Sequence, residues 1–355
     1  MTVIRPVAYP AIDGLRFYAA MIVVSLHTFG TVMTEYIGHP AADLNYQAAA
    51  PLTRFLVYLF DGSHGVDIFF IISGFLMARI VLGARTFSYG HFISNRFRRI
   101  YPAFLISLVL ATAADVLLFG WKFDPLQFAM NLAFLNAWPR LVAIPYNHVT
   151  WSLGYEFAFY LFVPVLLVLT RYLDRRVAAA ALLVAAALLL PVEGIRMVAL
   201  FAGALVGAFS NDQLAAFARR APLAPLVIAY IACGIYKALG YNVYVYCYVL
   251  YATAAMLFVK IVWDSENALH SFFAWAPMRW LGTLSFSIYL FHAVIISIVV
   301  HFIAPKPPAT MFGLAVCIAL PLLLTLATAY ACYMLVERRY FVPRAPRREA
   351  TAATV

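Results

Sequence analysis

The sequence predicts an all-α, polytopic integral membrane protein with about ten transmembrane helices and both termini in the cytoplasm. Of its 355 residues, 65% are hydrophobic and 11% are charged, and the mean hydropathy is +0.88. A soluble globular chain has about 45–50% apolar and about 25% charged residues, so this chain lacks the polar groups needed to cover a water-exposed surface. The composition excludes a water-soluble enzyme, a disordered regulator and a disulfide scaffold.

About ten apolar runs approach the length of about 20 residues that a membrane-spanning helix needs. They are residues 12–33, 64–83, 101–119, 152–170, 177–191, 196–210, 223–239, 243–263, 280–303 and 311–336. The runs 177–191 and 196–210 are short and closely spaced, so a single re-entrant pair is the alternative interpretation.

The positions of Lys and Arg predict the orientation, because cytoplasmic loops carry an excess of positive charge. With the N-terminus inside, most of the 25 basic residues fall in cytoplasmic loops. The net charge of +10 is not gathered in one basic run with interleaved aromatic residues, so no nucleic-acid partner is expected.

Two outer stretches are longer than the other loops, about 34–63 and 120–150. The second is rich in Trp, Phe and Tyr and is predicted to lie on the outer leaflet. Residues 1–342 are predicted to form one transmembrane domain. Residues 343–355, rich in Arg, Pro, Ala and Thr, are predicted to form a disordered cytoplasmic tail.

The first span contains two ionisable residues, Arg16 and His27. Eleven helical positions bring them within about 20° of the same face, with His27 about 16 Å deeper. Ionisable groups within spans are costly and therefore mark candidate functional sites. We interpret His27 as a candidate catalytic group near the middle of the membrane.

The second span begins with a polar sequence, residues 61–67, which includes two Asp and one His. Their spacing fits no zinc or iron site, so no metal is expected. Asp67 is expected to brace the start of the helix, and Gly74 to permit close helix approach. Asp67 and Ser73 are assigned to a predicted polar cavity.

The fourth span carries Glu156 about five residues from its outer end, at a depth similar to that of His27. A carboxylate that meets an imidazole there would orient it as a general base, whereas a hydrogen bond that only packs helices is the alternative. Trp151 and Ser152 are expected on the same cavity wall.

Two further features add to this cavity. Arg96 and Arg99 precede the third span; they are either a topology signal alone or guanidinium forks for phosphate groups. His292, half-way through the ninth span, supplies a second imidazole within the membrane.

Five segments, in this order, resemble the acyltransferase 3 family of membrane acyltransferases. The segments are AIDGLRFYAAMIVVSLHTF with Arg16 and His27, GVDIFFIISGF (65–75), RFRRIYP (96–102), WSLGYEFAFYLFVP (151–164) and LGTLSFSIYLFH (281–292). Residues 171–279 match the family only in hydropathy.

The resemblance implies an acyl-CoA-dependent O-acyltransferase of the bacterial cytoplasmic (inner) membrane. Acetyl-CoA is the expected co-substrate, with no tightly bound cofactor; Arg16, Arg96 and Arg99 would hold its phosphates. His27, oriented by Glu156, would act as general base. The expected partners are this donor, membrane lipids, and a cell-surface glycan or lipid-linked saccharide that accepts the acyl group.

Two departures from the family pattern stand out. After the last span the family often has Glu-x-Pro, whereas here Glu337 is followed by Arg338 and Arg339. This difference puts in doubt any functional role of the segment around Glu337. Some relatives carry an additional C-terminal esterase-like domain; without one in this sequence, the chain is expected to complete transfer itself or to pass the acyl group to a separate protein.

Two other functions remain open. One is acylation of a small secreted molecule such as a macrolide. The other is a transporter or flippase, which should show repeat symmetry that this sequence lacks.

Overall fold

The computed structural model describes residues 9–32, 35, 62–84, 86–137, 144–191, 194–239, 242–303 and 310–341. Within these ranges the chain is helical and contains no β-strand. The α-helices in chain order are α1 (Pro10–Thr31), α2 (His64–Gly83), α3 (Tyr89–Leu117), α4 (Pro125–Leu132), α5 (Trp151–Leu169), α6 (Arg175–Leu189), α7 (Met197–Gly207), α8 (Asn211–Arg220), α9 (Leu223–Ala238), α10 (Val243–Trp263), α11 (Ala268–Ala274), α12 (Ala276–Thr283), α13 (Ser285–Ile303), α14 (Met311–Cys332) and α15 (Arg338–Phe341). A 3-10 turn (Leu135–Ala137) follows α4, and a π-helical turn (Tyr333–Glu337) follows α14.

Seven of the described helices are long and apolar enough to cross a membrane: α1, α2, α3, α5, α10, α13, and α14 extended to Glu337. The pair α7–α8, bent by 106°, makes an eighth if it is counted as one broken span. Helices α6, α7 and α9 have 15, 11 and 16 residues, fewer than the about 20 that span a bilayer.

The all-helical, polytopic prediction is confirmed, but the count of ten spans is not. The cytoplasmic location of the termini stays a prediction, and the tail 343–355 lies outside the described residues.

Helices α2 and α7 pack with their backbones in direct contact. A Cβ atom added to Gly74 would overlap the carbonyl oxygen of Leu200, and one added to Gly203 would overlap that of Ile71. Small residues permit this approach because no side chain separates the two helices. The prediction that Gly74 allows close helix approach is confirmed.

Helix α1, which starts with Pro10 at its first turn, contacts α2, α11, α12 and α13. The crossings again depend on glycine: a Cβ on Gly14 would overlap the carbonyl of Phe273, and one on Gly282 would overlap that of Asp13. These contacts fix the rotation of α1, and with it the directions of Arg16 and His27.

The segment between α3 and α5 is held together by buried amide side chains. Asn131 accepts a hydrogen bond from the Tyr146 backbone N–H (3.2 Å), and Asn136 donates to the Thr150 hydroxyl (2.7 Å). Both asparagines and Thr150 are fully buried, so these bonds satisfy groups that would otherwise be costly to bury. The network fixes the position of His148, just before α5.

Candidate functional site

A cavity with an empty volume of about 830 Å³ lies between α1, α2, α3, α5 and α13. Its polar lining consists of Arg16, Ser73, Arg96, Arg99, Ser152, Glu156, Tyr160 and Tyr289. Six of these residues were predicted from the sequence as site residues, so the fold brings together side chains from four distant segments of the chain.

Three guanidinium groups meet in this cavity from two helices. Arg96 and Arg99 lie about one turn apart on α3, whose first turn is capped by Ser88. Arg99 is within electrostatic range of Arg16 and Arg96, and the Arg96 guanidinium lies 5.8 Å from the Phe92 ring centroid. Like charges held together in a partly buried site favour an anionic ligand, and guanidinium forks match the geometry of phosphate oxygens.

Glu156 shares the cavity with these arginines. Its Oε2 accepts a hydrogen bond from the Tyr160 hydroxyl (3.4 Å), one helical turn further along α5. Ser73 on α2 lies within hydrogen-bonding reach of the same Tyr160. Tyr160 was not predicted as a site residue, although its i+4 spacing from Glu156 is a signal in the sequence.

This arrangement corrects the expected pairing of Glu156 with His27. Because α5 packs against α2 in the described structure, Glu156 faces the arginine-lined cavity. Its carboxylate shares the cavity with the three arginines, and its hydrogen-bond partner among the described residues is Tyr160, not His27.

Glu337 is a further carboxylate at this site, whose role the sequence left in doubt. It is 2% exposed, accepts a hydrogen bond from the Ser287 hydroxyl, and lies within electrostatic range of Arg99 and Arg16. The π-helical turn after α14 places it there; such turns occur frequently at functional sites. The Glu-x-Pro pattern is therefore not needed to bring this carboxylate to the arginines.

The two predicted imidazoles contact each other. The rings of His27 and His292 lie 5.0 Å apart, centroid to centroid, in an edge-to-face arrangement. His292 is fully buried near the middle of α13, and its Nδ1 donates to the Ile288 carbonyl (3.1 Å). That bond leaves Nε2 as the basic atom, for which the described residues provide no hydrogen-bond partner.

Tyr289 separates this imidazole pair from the arginine-lined cavity. Its ring lies 5.8 Å from His292 and 5.7 Å from Phe69, which also lines the cavity. Its hydroxyl is placed between the Val149 carbonyl and the Ser152 hydroxyl, at 2.9 Å from each. The imidazoles are thus one aromatic layer beyond the cavity.

Asp67 and Trp151 lie away from the cavity wall, which corrects their predicted placement. The Asp67 carboxylate is 3.8 Å from the Arg196 guanidinium, which also lies 5.2 Å from the Trp151 ring centroid. On an α-helix, Asp67 and Ser73 point about 120° apart, so the two cannot share one face. Asp67 instead joins the start of α2 to the start of α7.

His148 is a titratable residue outside the spanning helices, in the loop before α5. Desolvation lowers the pKa of this imidazole, which favours its neutral form. In the described ranges, no three His, Cys, Asp or Glu side chains gather in a way that could hold a metal ion.

Comparison with known families identifies the chain. Residues 9–331 match the acyltransferase 3 family, described as an acyltransferase domain. The chain belongs to the acyltransferase 3 family. The matched residues include every helix that lines the cavity of this acyltransferase 3 chain. The resemblance inferred from the five segments is therefore confirmed.

Individual relatives are distant. The chain is 27% identical over 266 residues to the protein named membrane-bound transacylase BcsY of Komagataeibacter xylinus, covering 66% of each chain. It is 25% identical to the peptidoglycan O-acetyltransferase OatA of Listeria monocytogenes, covering 81% of this chain and 49% of the relative. The acyltransferase MdmB of Streptomyces mycarofaciens is 29% identical over 48% of this chain and 42% of its own.

This acyltransferase 3 chain therefore spans about half the length of the OatA relative and less than half that of MdmB. No solved structure matches it.

Proposed function

We propose that this protein transfers an acyl group, acetyl in the first instance, from acyl-CoA to a hydroxyl group of a cell-surface glycan or lipid-linked sugar. The observation that carries the proposal is the convergence of Arg16, Arg96 and Arg99 in a cavity that ends one aromatic layer from the pair formed by half-buried His27 and fully buried His292. Membership of an acyltransferase family supports the reaction type.

The donor would bind with its phosphates on the three arginines. Glu156 and Glu337 would hold these guanidinium groups apart and in place before the donor arrives. The apolar wall, which includes Ile72 and Leu76, suits the narrow pantetheine chain, and its far end would bring the thioester to Tyr289.

The reaction would occur beside the imidazole pair. His27 removes the proton from the acceptor hydroxyl, and the oxygen attacks the thioester carbonyl carbon. The carbon–sulfur bond then breaks, and the leaving thiolate takes the proton from His27, so that the ester and free CoA are the products. His292, whose Nε2 is unpartnered among the described residues, would stabilise the transient imidazolium. Phe69 and Tyr289 must move aside for the thioester to reach His27.

The test compares two pairs of arginines in purified, folded protein. Arg96→Ala with Arg99→Ala removes two predicted phosphate ligands, each worth about 1.5–3 kcal/mol, or about 10- to 100-fold in Kd. The matched control is Arg219→Ala with Arg220→Ala, an exposed pair at the end of α8 outside the cavity. The measurements are the Kd for acetyl-CoA and the transfer of labelled acetyl groups.

We expect only the first pair of substitutions to weaken acetyl-CoA binding, and wild-type protein to release free CoA as it acylates a glycan. If both double variants bind acetyl-CoA with equal affinity, Arg96 and Arg99 do not bind the donor and only set the membrane topology. Uptake of a solute into vesicles without any release of CoA would support a transporter instead. Glycan and small-molecule acceptors offered together identify the preferred acceptor class.

A further inference from the structure

A second, smaller cleft lies at the opposite end of α3 from the arginines. It has an empty volume of about 270 Å³ and is lined by the last turns of α3, by residues 146–148 and by α13. Asp115, which lines it, is 16 positions beyond Arg99, or about 24 Å along the helix. The two cavities therefore serve different ends of the same helix.

The imidazole pair lies between the two cavities along α13. Tyr289 lines the arginine cavity, whereas Ala293 and Ser297 line the second cleft. His292 falls between them, and its partner His27 is within electrostatic range of His148, which also lines the cleft. A molecule in this cleft would approach the imidazoles from the side away from the arginines.

Asp115 supplies the polar group of the cleft. It is 9% exposed, and its buried carboxylate oxygen Oδ2 has no hydrogen-bond partner among the described residues. Buried polar groups are nearly always hydrogen-bonded, so an unpartnered carboxylate oxygen in a cleft calls for a ligand that donates. The helix end that carries Asp115 is fixed, because its backbone carbonyl accepts a bond from the Trp121 N–H (2.9 Å).

Aromatic and polar groups surround this carboxylate. Phe119 lines the cleft, with its ring 5.0 Å from the His301 ring. Asn147, also in the lining, is anchored through its amide to the Leu290 carbonyl (2.9 Å). An apolar ring beside a few convergent polar groups is the pattern of a small-molecule site.

We propose that this cleft is the acceptor subsite and binds a saccharide, with Asp115 accepting hydrogen bonds from ring hydroxyls and Phe119 contacting the apolar face of the ring. The proposal rests on the proposed function, because it assigns the acceptor of the same reaction to a place. The hydroxyl to be acylated would then point from the cleft toward His27, past His148. A saccharide offers both the hydroxyl donors that Asp115 lacks and the C–H face that packs on an aromatic ring.

The test measures sugar binding and acyl transfer separately. Methyl β-D-glucoside and methyl N-acetyl-β-D-glucosaminide serve as probes, without donor, in saturation-transfer NMR on detergent-purified wild-type protein, Asp115→Asn and Asp115→Ala. The matched control is Thr112→Val, which changes another buried polar side chain on α3 that does not line the cleft. Steady-state kinetics gives the KM for the sugar, and a filter assay the Kd for acetyl-CoA.

We expect both Asp115 variants to lose the NMR signal and to raise the acceptor KM at least about tenfold, as for a lost hydrogen bond to a charged group. The Kd for acetyl-CoA and the Thr112→Val variant should be unchanged. Wild-type sugar signals in folded Asp115→Asn would overturn the proposal. Should Asp115→Ala not fold, Phe119→Leu replaces it, with the same expected loss.

The outcomes separate the two proposals. A wild-type protein that binds the sugars through Asp115 but transfers no acetyl group would contradict the proposed function and the acceptor role, while the cleft would remain a saccharide-binding site. A wild-type protein that transfers acetyl groups with an acceptor KM indifferent to Asp115 would contradict the subsite alone.

Discussion

At the scale of single residues, the site combines buried or partly buried cations with carboxylates of opposite charge. Arg16, Arg96 and Arg99 share one cavity with Glu156, and Glu337 lies within electrostatic range of Arg99 and Arg16. Charge of one sign held in a partly dry site is costly, so removing either partner leaves the other uncompensated. An anionic ligand would add compensation to the arginines without replacing the carboxylates.

Glu337→Gln is expected to destabilise the unliganded protein by about 1–3 kcal/mol, because the amide keeps an acceptor for Ser287 but removes the charge that faces Arg99. Added CoA should recover part of this loss, since its phosphates supply negative charge. Thermal unfolding with and without CoA measures both effects. Glu266→Gln, in an exposed position before α11, is the control, and equal melting temperatures for the two variants would contradict the pairing.

His27→Ala is expected to lower kcat about 10²- to 10⁴-fold, the usual contribution of a general base, while the Kd for acetyl-CoA stays unchanged. The donor should still bind because Arg16 lies about 16 Å from His27 along α1, and because His27 does not line the cavity that Arg96 and Arg99 reach from α3. Ser25→Ala, an exposed change on the same helix, is the control. Near wild-type turnover in folded His27→Ala would move the assignment to His292, the adjoining imidazole.

At the scale of helices, two local features aim the site residues. The π-helical turn after α14 turns Glu337 inward, and the glycine contacts of α2 with α7 set how deep Ser73 lies. Both are backbone features, so their effects reach several side chains at once. Changes at these crossings should therefore alter stability before they alter chemistry.

Gly74→Ala is expected to destabilise the protein by about 1–3 kcal/mol, because the new methyl group would overlap the Leu200 carbonyl in a tightly packed crossing. Gly83→Ala, at the end of the same helix α2, meets no atom within 4 Å and should be neutral or stabilising by up to about 1 kcal/mol. Thermal unfolding of the two variants in the same detergent makes the comparison. Equal melting temperatures for the two variants would contradict a tightly packed crossing at Gly74.

At the scale of the whole molecule, the two cavities divide the protein along the helices. The arginines occupy one end of α3 and the Asp115 cleft the other, with the imidazole pair between them along α13. This order suits a donor and an acceptor that arrive from opposite sides. It requires the arginine end to face the cytoplasm, where acyl-CoA is made available.

Single-cysteine labelling tests that orientation. The four native cysteines are buried, so their background labelling should be low. Lys122→Cys, exposed before α4, should react with an impermeant maleimide in intact cells, whereas Glu266→Cys should react only after permeabilisation. The reverse pattern would place the arginine cavity on the outside and exclude cytoplasmic acyl-CoA as its ligand.

The sequence by itself determined the membrane class, most of the spanning helices and six polar residues of the main cavity. These follow from local properties: a run of apolar residues is hydrophobic wherever it packs, and an ionisable residue within it is costly in any arrangement. Arg16 and His27 could be placed on one face because helical phase is a property of one segment.

Only the tertiary structure decided which groups meet. It joined His27 to His292, turned Glu156 toward the arginines, paired Asp67 with Arg196 and brought Glu337 to Arg99. These contacts depend on how each helix is rotated and tilted against its neighbours. Backbone contacts such as Gly14 with Phe273 fix that rotation, and no periodicity within one helix specifies the partner across such a contact.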